Sequence, residues 1–360
     1  MTLQPIVDRA FEPVRGAIAE RCIPGAVLGL VDAAGDRVVA FSGQAQIQPT
    51  AIAMRRETVF DLASLTKVIF TTTTILRLVE QGRVALDQPL SELIPDLRQY
   101  DLDAAERTLT VRQLLAHQTF LPAVEPLYTY GQDPQTLRAF VLQRVWKHGP
   151  PVYSDINFLL LGLAIERVTG APLKSYPLHA GFTFAPDASA CAATEYCHWR
   201  ERMLRGEVHD ENAFALGGAS GHAGLFGAID AVLDFAASML NNTALQPDTI
   251  SLLRTRQSPQ RTLGWEMKYD GWSGGAACSE ETIGHTGFTG TGLWIDFPRR
   301  IAWSLLTNRV HPTRHVETGI AQLRQAVGRL AGDFSPATRQ GVDAKRSVRK
   351  SRNTRTLGSR

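Results

Sequence analysis

The chain holds only four cysteines in 360 residues: Cys22, Cys191, Cys197 and Cys278. They are too few and too scattered to staple a fold, so free thiols are expected and the core must be held by burial alone. Long apolar runs are missing as well. No stretch reaches the roughly eighteen consecutive apolar residues that a membrane-spanning helix requires, so no membrane partner is expected. The N-terminus, "MTLQPIVDRAFEPVRGAIAERC", lacks the basic-then-apolar order of an export signal and carries Asp8, Glu12 and Glu20 among spaced apolar residues. That pattern predicts an amphipathic helix and the cytoplasm as the compartment. Metal-ligand spacing is scarce too. Cys191, Cys197 and His198 have no fourth ligand and the wrong gap for zinc, so no metal or cofactor is expected there.

What charge there is sits unevenly. The net charge is +3, yet from Arg339 onward eight Lys/Arg face one Asp, leaving 30 basic against 34 acidic residues in the preceding body. The tail "RQGVDAKRSVRKSRNTRTLGSR" has almost no large apolar residues, so residues 335–360 are expected to be a disordered basic appendage. Such a tail can touch phosphates without specificity, and nothing else points to nucleic acid as a partner. With 44% hydrophobic residues, the body can bury one large core or two smaller ones.

The apolar periodicity divides that body. "GAVLGLVD", "AAGD" and "RVVAFSG" predict a hairpin over residues 25–43. From Ser64 to about Leu253 the spacing is mainly helical, as in "LTVRQLLAHQ" and in "INFLLLGLAIERVTG", whose Gly170 fits a left-handed cap. Strand patterns return in "TLGWEMKYD", "GLWIDFP" and "RIAWSLLTN", and "HVETGIAQLRQAVGRLAGDF" predicts a last amphipathic helix. The expected fold is α+β. One antiparallel sheet is built from both chain ends (residues 1–60 and 258–334) and flanked by helices, with a mainly helical region (61–257) inserted between.

Three short motifs carry candidate chemistry. In "FDLASLTKVIF", Ser64 and Lys67 lie one helical turn apart, so the amine can approach the hydroxyl near unpaired N–H groups that favour an oxyanion. The pattern alone is cheap, because Ser347 and Lys350 repeat it in the tail. In "PPVYSDINFLLLG", Tyr153 and Asp155 stand at the entry of an apolar helix. In "IGHTGFTGTGLWIDF", His285, Thr286 and Gly287 precede a strand, with glycines that would let a substrate lie against the backbone. A competing signal is "GWSGG" with Ser273 at its centre, the pattern of an α/β-hydrolase elbow, but the polar, alternating residues before it do not make a buried strand. A fold retained only as a binding module is a further alternative, although no motif residue is visibly lost.

In this order and at these separations, Ser64-Leu65-Thr66-Lys67, Tyr153-Ser154-Asp155 and His285-Thr286-Gly287 resemble the motifs of the serine β-lactamase and penicillin-binding superfamily. The likeness is to its class C β-lactamase-like serine hydrolases, which include family VIII carboxylesterases, and it covers most of residues 15–332. The resemblance implies acyl transfer to Ser64 and then to water, with Lys67 and Tyr153 handling the proton and either one open as the base. It implies an oxyanion hole from the backbone N–H groups of Ser64 and Phe288, and substrate contacts from Asp155, His285, Thr286 and Gly287. It also places His209, Asp210, Glu211 and His222 in a loop by the cleft, where they are expected to hydrogen-bond the loop or line its entrance and not to hold a metal. Phe120, Tyr128, Tyr130 and Phe288 are candidates to wall an acyl pocket.

Two departures bear on substrate. His285 replaces a lysine and is mostly neutral at pH 7, and Asp155 replaces an asparagine and only accepts hydrogen bonds when ionised. Both disfavour penicillin-like ligands, and Asp155 beside Lys67 would hold the amine protonated and shift the base role toward Tyr153. The expected function is an esterase on small neutral acyl esters, with a β-lactamase or D-amino-acid peptidase as the alternative.

Overall fold

A computed structural model describes residues 3–333; the basic tail and the expectation attached to it lie outside the described residues. The sheet forms as the period-2 pattern requires. Gly25–Asp32 pairs with Arg37–Gln46 on one side and with Ile301–Thr307 on the other, Ala26 opposite Thr307. The full order is Ile52–Ala53, Arg37–Gln46, Gly25–Asp32, Ile301–Thr307, Gly292–Asp296, Ile283–Thr286 and Glu266–Met267, all antiparallel. Strands from the two chain ends thus meet at the centre of one sheet. The expected strand over "TLGWEMKYD" is shorter than its pattern suggests: only Glu266–Met267 pairs, because the residues on either side are taken up by turns.

Alternate residues feed two cores. Ala26, Leu28, Leu30, Trp294, Ile301, Trp303 and Leu305 pack beneath the helices Gln4–Ala19 and Ile320–Ala331. Val27, Val31, Leu293, Ile295, Ala302 and Leu306 face the inserted region and join its larger core. Burying an apolar side chain of this size contributes roughly 1.5–3 kcal/mol relative to exposure, so a one-residue slip in these strands would invert both faces at once.

The inserted region is less purely helical than its periodicity implies. Phe60–Asp61, Phe226–Gly227 and Phe182–Thr183 make a small sheet, and Ala193–Cys197 pairs with Arg202–Arg205. Its main strut is the helix Asp155–Thr169, buried on most sides and closed by Gly170 at φ 73°, as the sequence suggests. Ser154, not Asp155, caps it, its Oγ accepting from the Asn157 N–H at 3.4 Å. The strut meets the Gly-rich loop 217–224 at van der Waals contact. A Cβ on Gly221 would stand 2.1 Å from the Phe158 carbonyl oxygen and 2.9 Å from the Gly162 nitrogen, all of it backbone.

That contact is testable. Gly221→Ala is expected to lower the thermal midpoint, at an overpacking cost of roughly 1–3 kcal/mol, and to reduce activity with it, because the same loop presents the His222 carbonyl to the site described next. An unchanged midpoint in a thermal melt would show that the loop yields freely.

Candidate active site

Ser64 stands on a tight turn. Ala63 before it is left-handed at φ 47°, with its N–H donated to Asp61 Oδ1 at 2.8 Å. The helix that follows opens with a π-helical stretch, Lys67–Thr72, whose wider turn is stapled by Thr72 Oγ1 donating to the Lys67 carbonyl at 2.8 Å and Thr73 Oγ1 to that of Val68 at 3.0 Å. π-helical turns of this kind recur at functional sites.

Lys67 is wholly buried. Its Nζ donates to Ser64 Oγ at 2.9 Å and to the His222 carbonyl at 3.0 Å, and pairs with Asp155 Oδ1 at 2.8 Å. Burial works against its charge, but the Asp155 carboxylate and the Tyr153 hydroxyl outweigh burial, and the ammonium titrates well above its ordinary range. Because Ser154 takes the capping role, Asp155 is free to face the lysine. Tyr153 lies between cations, with Lys67 Nζ 5.1 Å and the Arg261 guanidinium carbon 4.9 Å from its ring centroid. His117 stacks on the same ring at 4.6 Å and accepts the Ser154 N–H at Nδ1, 3.0 Å.

His285 is buried on the neighbouring strand, opposite Leu293. Burial first, then repulsion from Arg261 and Lys67, pushes its imidazole well below the ordinary histidine range, so it is neutral at pH 7. The segment after it is tied to the segment before Ser64. Thr289 Oγ1 donates to the Asp61 carbonyl at 2.8 Å and Thr291 Oγ1 to the Leu62 carbonyl at 3.0 Å. Among the described residues, the backbone N–H groups of Ser64 and Phe288 donate to no protein group. Gly287 has a use besides the one its sequence context suggests. A Cβ there would meet Thr291 Oγ1 at 2.1 Å and the Leu62 carbonyl at 2.6 Å, so the glycine also lets this turn pack against the segment before Ser64.

These residues line one cleft of about 680 Å³, which brings together Ser64, Tyr153, Asp155, His285, Thr286, Gly287 and Phe288. His209, Asp210 and Glu211 line it too, as expected. His209 Nε2 meets Glu195 at 2.8 Å beneath the Phe288 ring, stacked at 5.6 Å, while Arg314 holds Glu195 and Glu211 together. His222 Nε2 meets Asp210 at 2.9 Å. Burial would raise the Asp210 carboxyl, but His222, the Ala213 N–H and Lys67 hold it far below the usual carboxylate range. Ligand atoms of Asp155, Asp210 and His222 lie within 4.8 Å of one another. Since the Lys67 ammonium already pairs with Asp155, a divalent ion would have to displace it, and with that lysine in place the residues do not fit a metal.

Three of the four aromatics proposed for the acyl pocket are elsewhere. Phe120 packs tilted against His148 at 3.9 Å, Tyr128 tilted against Trp199 at 4.9 Å, and Tyr130 stacks on Phe140 at 4.6 Å; Phe288 alone of the four lines the cleft. Ser273 is also remote. It accepts from Trp294 Nε1 at 3.2 Å, in a turn between two strands with no helix following, so the elbow geometry is absent there. Conversely, His117, Arg261, Arg309, Arg314 and Arg324 have positions at the site that the motifs do not announce.

The cleft holds a hydroxyl beside an ammonium, together with a phenol and two backbone N–H groups that donate to no protein group among the described residues. The profile of the family described as "Beta-lactamase" matches residues 7–327. This chain belongs to the beta-lactamase family. It is 33% identical to the N-acetylmuramyl-L-alanine amidase of Bacillus subtilis (strain 168) over 313 residues, 72% of this chain and 69% of the relative. It is 29% identical to a putative D-alanyl-D-alanine carboxypeptidase of Escherichia coli (strain K12), over 71% of this chain and 70% of that protein. Among solved structures, a class C beta lactamase superposes with TM-score 0.70 at 17% identity, covering 90% of this chain and 97% of the other. EstCE1, a hydrolase with promiscuous acyltransferase activity, superposes with TM-score 0.68 at 23% identity, covering 90% and 99%. Both likenesses establish the β-lactamase/transpeptidase fold. Together with the family assignment they make the chain a serine hydrolase of the beta-lactamase family.

The neutral buried histidines set a pH dependence. His285 and His117 are both held well below 6.5, and burial lowers His311 to about 4. Each is neutral in the fold yet binds a proton in the unfolded chain below about pH 6.5, so unfolding takes up protons and stability falls as the pH drops through that value. The thermal midpoint is expected to be about 5 °C or more lower at pH 5.0 than at pH 7.5. A flat or rising midpoint over that range would contradict the neutral assignments.

Proposed function

We propose that Ser64 is the nucleophile of a serine hydrolase whose natural bond is an amide of the cell-wall kind, such as that of an N-acetylmuramyl-L-alanine unit. The observation that carries this reading is the buried ammonium of Lys67, 2.9 Å from Ser64 Oγ and held charged by Asp155. An amine leaves only after it receives a proton, and the Lys67–Tyr153 pair beside the reacting oxygen can relay the Ser64 proton to it. The likeness to the amidase at 33% identity agrees with it. The cleft volume of about 680 Å³ lies within the range of sites that enclose a sugar or dipeptide.

In this reading Tyr153, reacting in its deprotonated form between Lys67 and Arg261, takes the Ser64 proton at its oxygen as Oγ attacks the carbonyl carbon. The developing oxyanion accepts from the N–H groups of Ser64 and Phe288. The proton then passes through the Tyr153–Lys67 pair to the departing nitrogen as the C–N bond breaks. Water, deprotonated by the same pair, attacks the acyl-enzyme and frees Ser64. Thr286 and Asp155 flank the bound acyl chain, and the cytoplasm remains the proposed compartment.

A second reading, hydrolysis of small neutral esters, is favoured by His285. Because its imidazole is neutral, the position offers a substrate carboxylate a weak anchor. A panel separates the two. N-acetylmuramyl-L-alanine, a D-alanyl-D-alanine peptide and a short-chain aryl ester are each assayed with the unmutated protein, Ser64→Ala and Ser273→Ala. Release of L-alanine is expected, with turnover and fluorophosphonate labelling abolished in Ser64→Ala and nearly intact in Ser273→Ala. Ester turnover without release of amine from either amide would establish the second reading, and loss of labelling in Ser273→Ala alone would overturn both.

A further inference from the structure

Arg324, on the helix Ile320–Ala331, is 8% exposed and lines the cleft. A single nitrogen of its guanidinium, Nη2, donates to the Gly287 carbonyl at 2.8 Å and to the Thr291 carbonyl at 2.7 Å. The Thr291 carbonyl also accepts the Gly287 N–H at 2.8 Å. Arg324 therefore clamps the turn 287–291 that contains Phe288, and the Gly287 carbonyl it grips belongs to the same peptide unit as the Phe288 N–H. Arg309 Nε holds the next carbonyl, that of Phe288, at 2.9 Å.

A buried cation with no acid against it is costly. Burial, and then repulsion from Arg309, push the Arg324 guanidinium below its ordinary range, although it stays cationic at neutral pH; Glu266 opposes that shift but is itself engaged by Arg261 at 3.2 Å. Its Nε is buried and makes no hydrogen bond. Placed so, the cation makes no ion pair among the described residues, Glu266 acting on it only at a distance, and a carbonyl oxygen that became an oxyanion at the Phe288 N–H would bring it a second negative charge.

We propose that Arg324 is a positioning residue for the oxyanion hole: it fixes the Gly287–Phe288 peptide and, by withdrawing charge through its carbonyl, strengthens the Phe288 N–H as a donor in the transition state. This rests on the reading of Ser64 and Phe288 given above. A donor aimed at developing charge lowers the barrier without tightening the ground-state complex, which separates the role from simple packing.

The test uses the full chain, p-nitrophenyl acetate as substrate and phenylboronic acid, which adds to a serine oxygen as a tetrahedral anion. Arg324→Met is expected to lower kcat about 10- to 30-fold, a fraction of the 10²–10³ lost with a whole oxyanion donor, with KM within about threefold and boronate affinity reduced in parallel. Arg324→Lys keeps the cation and should recover most of both. Arg324→Gln, which removes the charge but keeps a donor, serves if Arg324→Met fails to fold, and in either neutral variant the acyl-enzyme carbonyl stretch in the infrared should move to higher frequency than in the unmutated protein, reporting a weaker hole. If Ser64-dependent labelling and turnover persist while kcat, boronate affinity and carbonyl frequency are unchanged in the folded variants, the role of Arg324 is overturned and the function stands. If the unmutated protein shows no labelling at Ser64, the proposed function falls and Arg324 falls with it.

Discussion

The ion pair between Lys67 and Asp155 is the constraint around which the rest of the structure is arranged. A fully buried ammonium loses several kcal/mol of hydration, and it is retained because three separate segments supply its partners. The 64–67 turn gives a hydroxyl, the helix Asp155–Thr169 a carboxylate, and the Gly-rich loop a backbone carbonyl. Each partner constrains its own element. Asp155 can face the lysine only because Ser154 caps the helix, and the His222 carbonyl can reach it only because Gly221 and Gly162 let loop and helix touch at backbone distance.

The charge pattern around that pair changes what the motifs mean. With a lysine at position 285 and an asparagine at 155, the cleft would hold two cations and a neutral amide near the hydroxyl. Here a carboxylate neutralises Lys67 and the imidazole stays uncharged. Positive potential moves outward to Arg261, Arg309, Arg314 and Arg324, which line the cleft. Three of these also contact its aromatic rings, Arg261 over Tyr153 and Arg309 and Arg314 over Phe288.

Much of this was legible in the sequence. The apolar runs in "GAVLGLVD" and "RIAWSLLTN" specified the central strands, the glycine after "INFLLLGLAIERVT" marked a helix end, and the three motifs named Ser64, Tyr153, Asp155 and His285, which line one cleft, and Lys67, which is buried beside Ser64. The sequence was silent where function depends on a single side chain crossing the fold. His117 reads as one more residue of "LTVRQLLAHQ", and Arg324 as one polar position of an amphipathic helix. Only packing shows that the first stacks on Tyr153 and the second grips a peptide 37 residues away in sequence. The aromatics near residues 120–130 were misplaced for a related reason: a ring signals burial, but not which of several apolar surfaces buries it. The two-residue strands Phe60–Asp61 and Phe226–Gly227 are too short to leave any periodicity, and they form because their neighbours hold them together.

The pairing of Gly25–Asp32 with Ile301–Thr307 also has a consequence for how the molecule comes into being. The first strand to be synthesised, Gly25–Asp32, soon has a neighbour in Arg37–Gln46, but its other edge waits for a partner made some 270 residues later. Loop closure over such a span is slow, and an unpaired edge is exposed until it happens. Ser64 and Lys67 leave the ribosome early, whereas Phe288 and Arg324 leave near the end. A nascent chain therefore carries Ser64 without the Phe288 turn for most of its synthesis, and the cleft is complete only when the helix Ile320–Ala331 has docked.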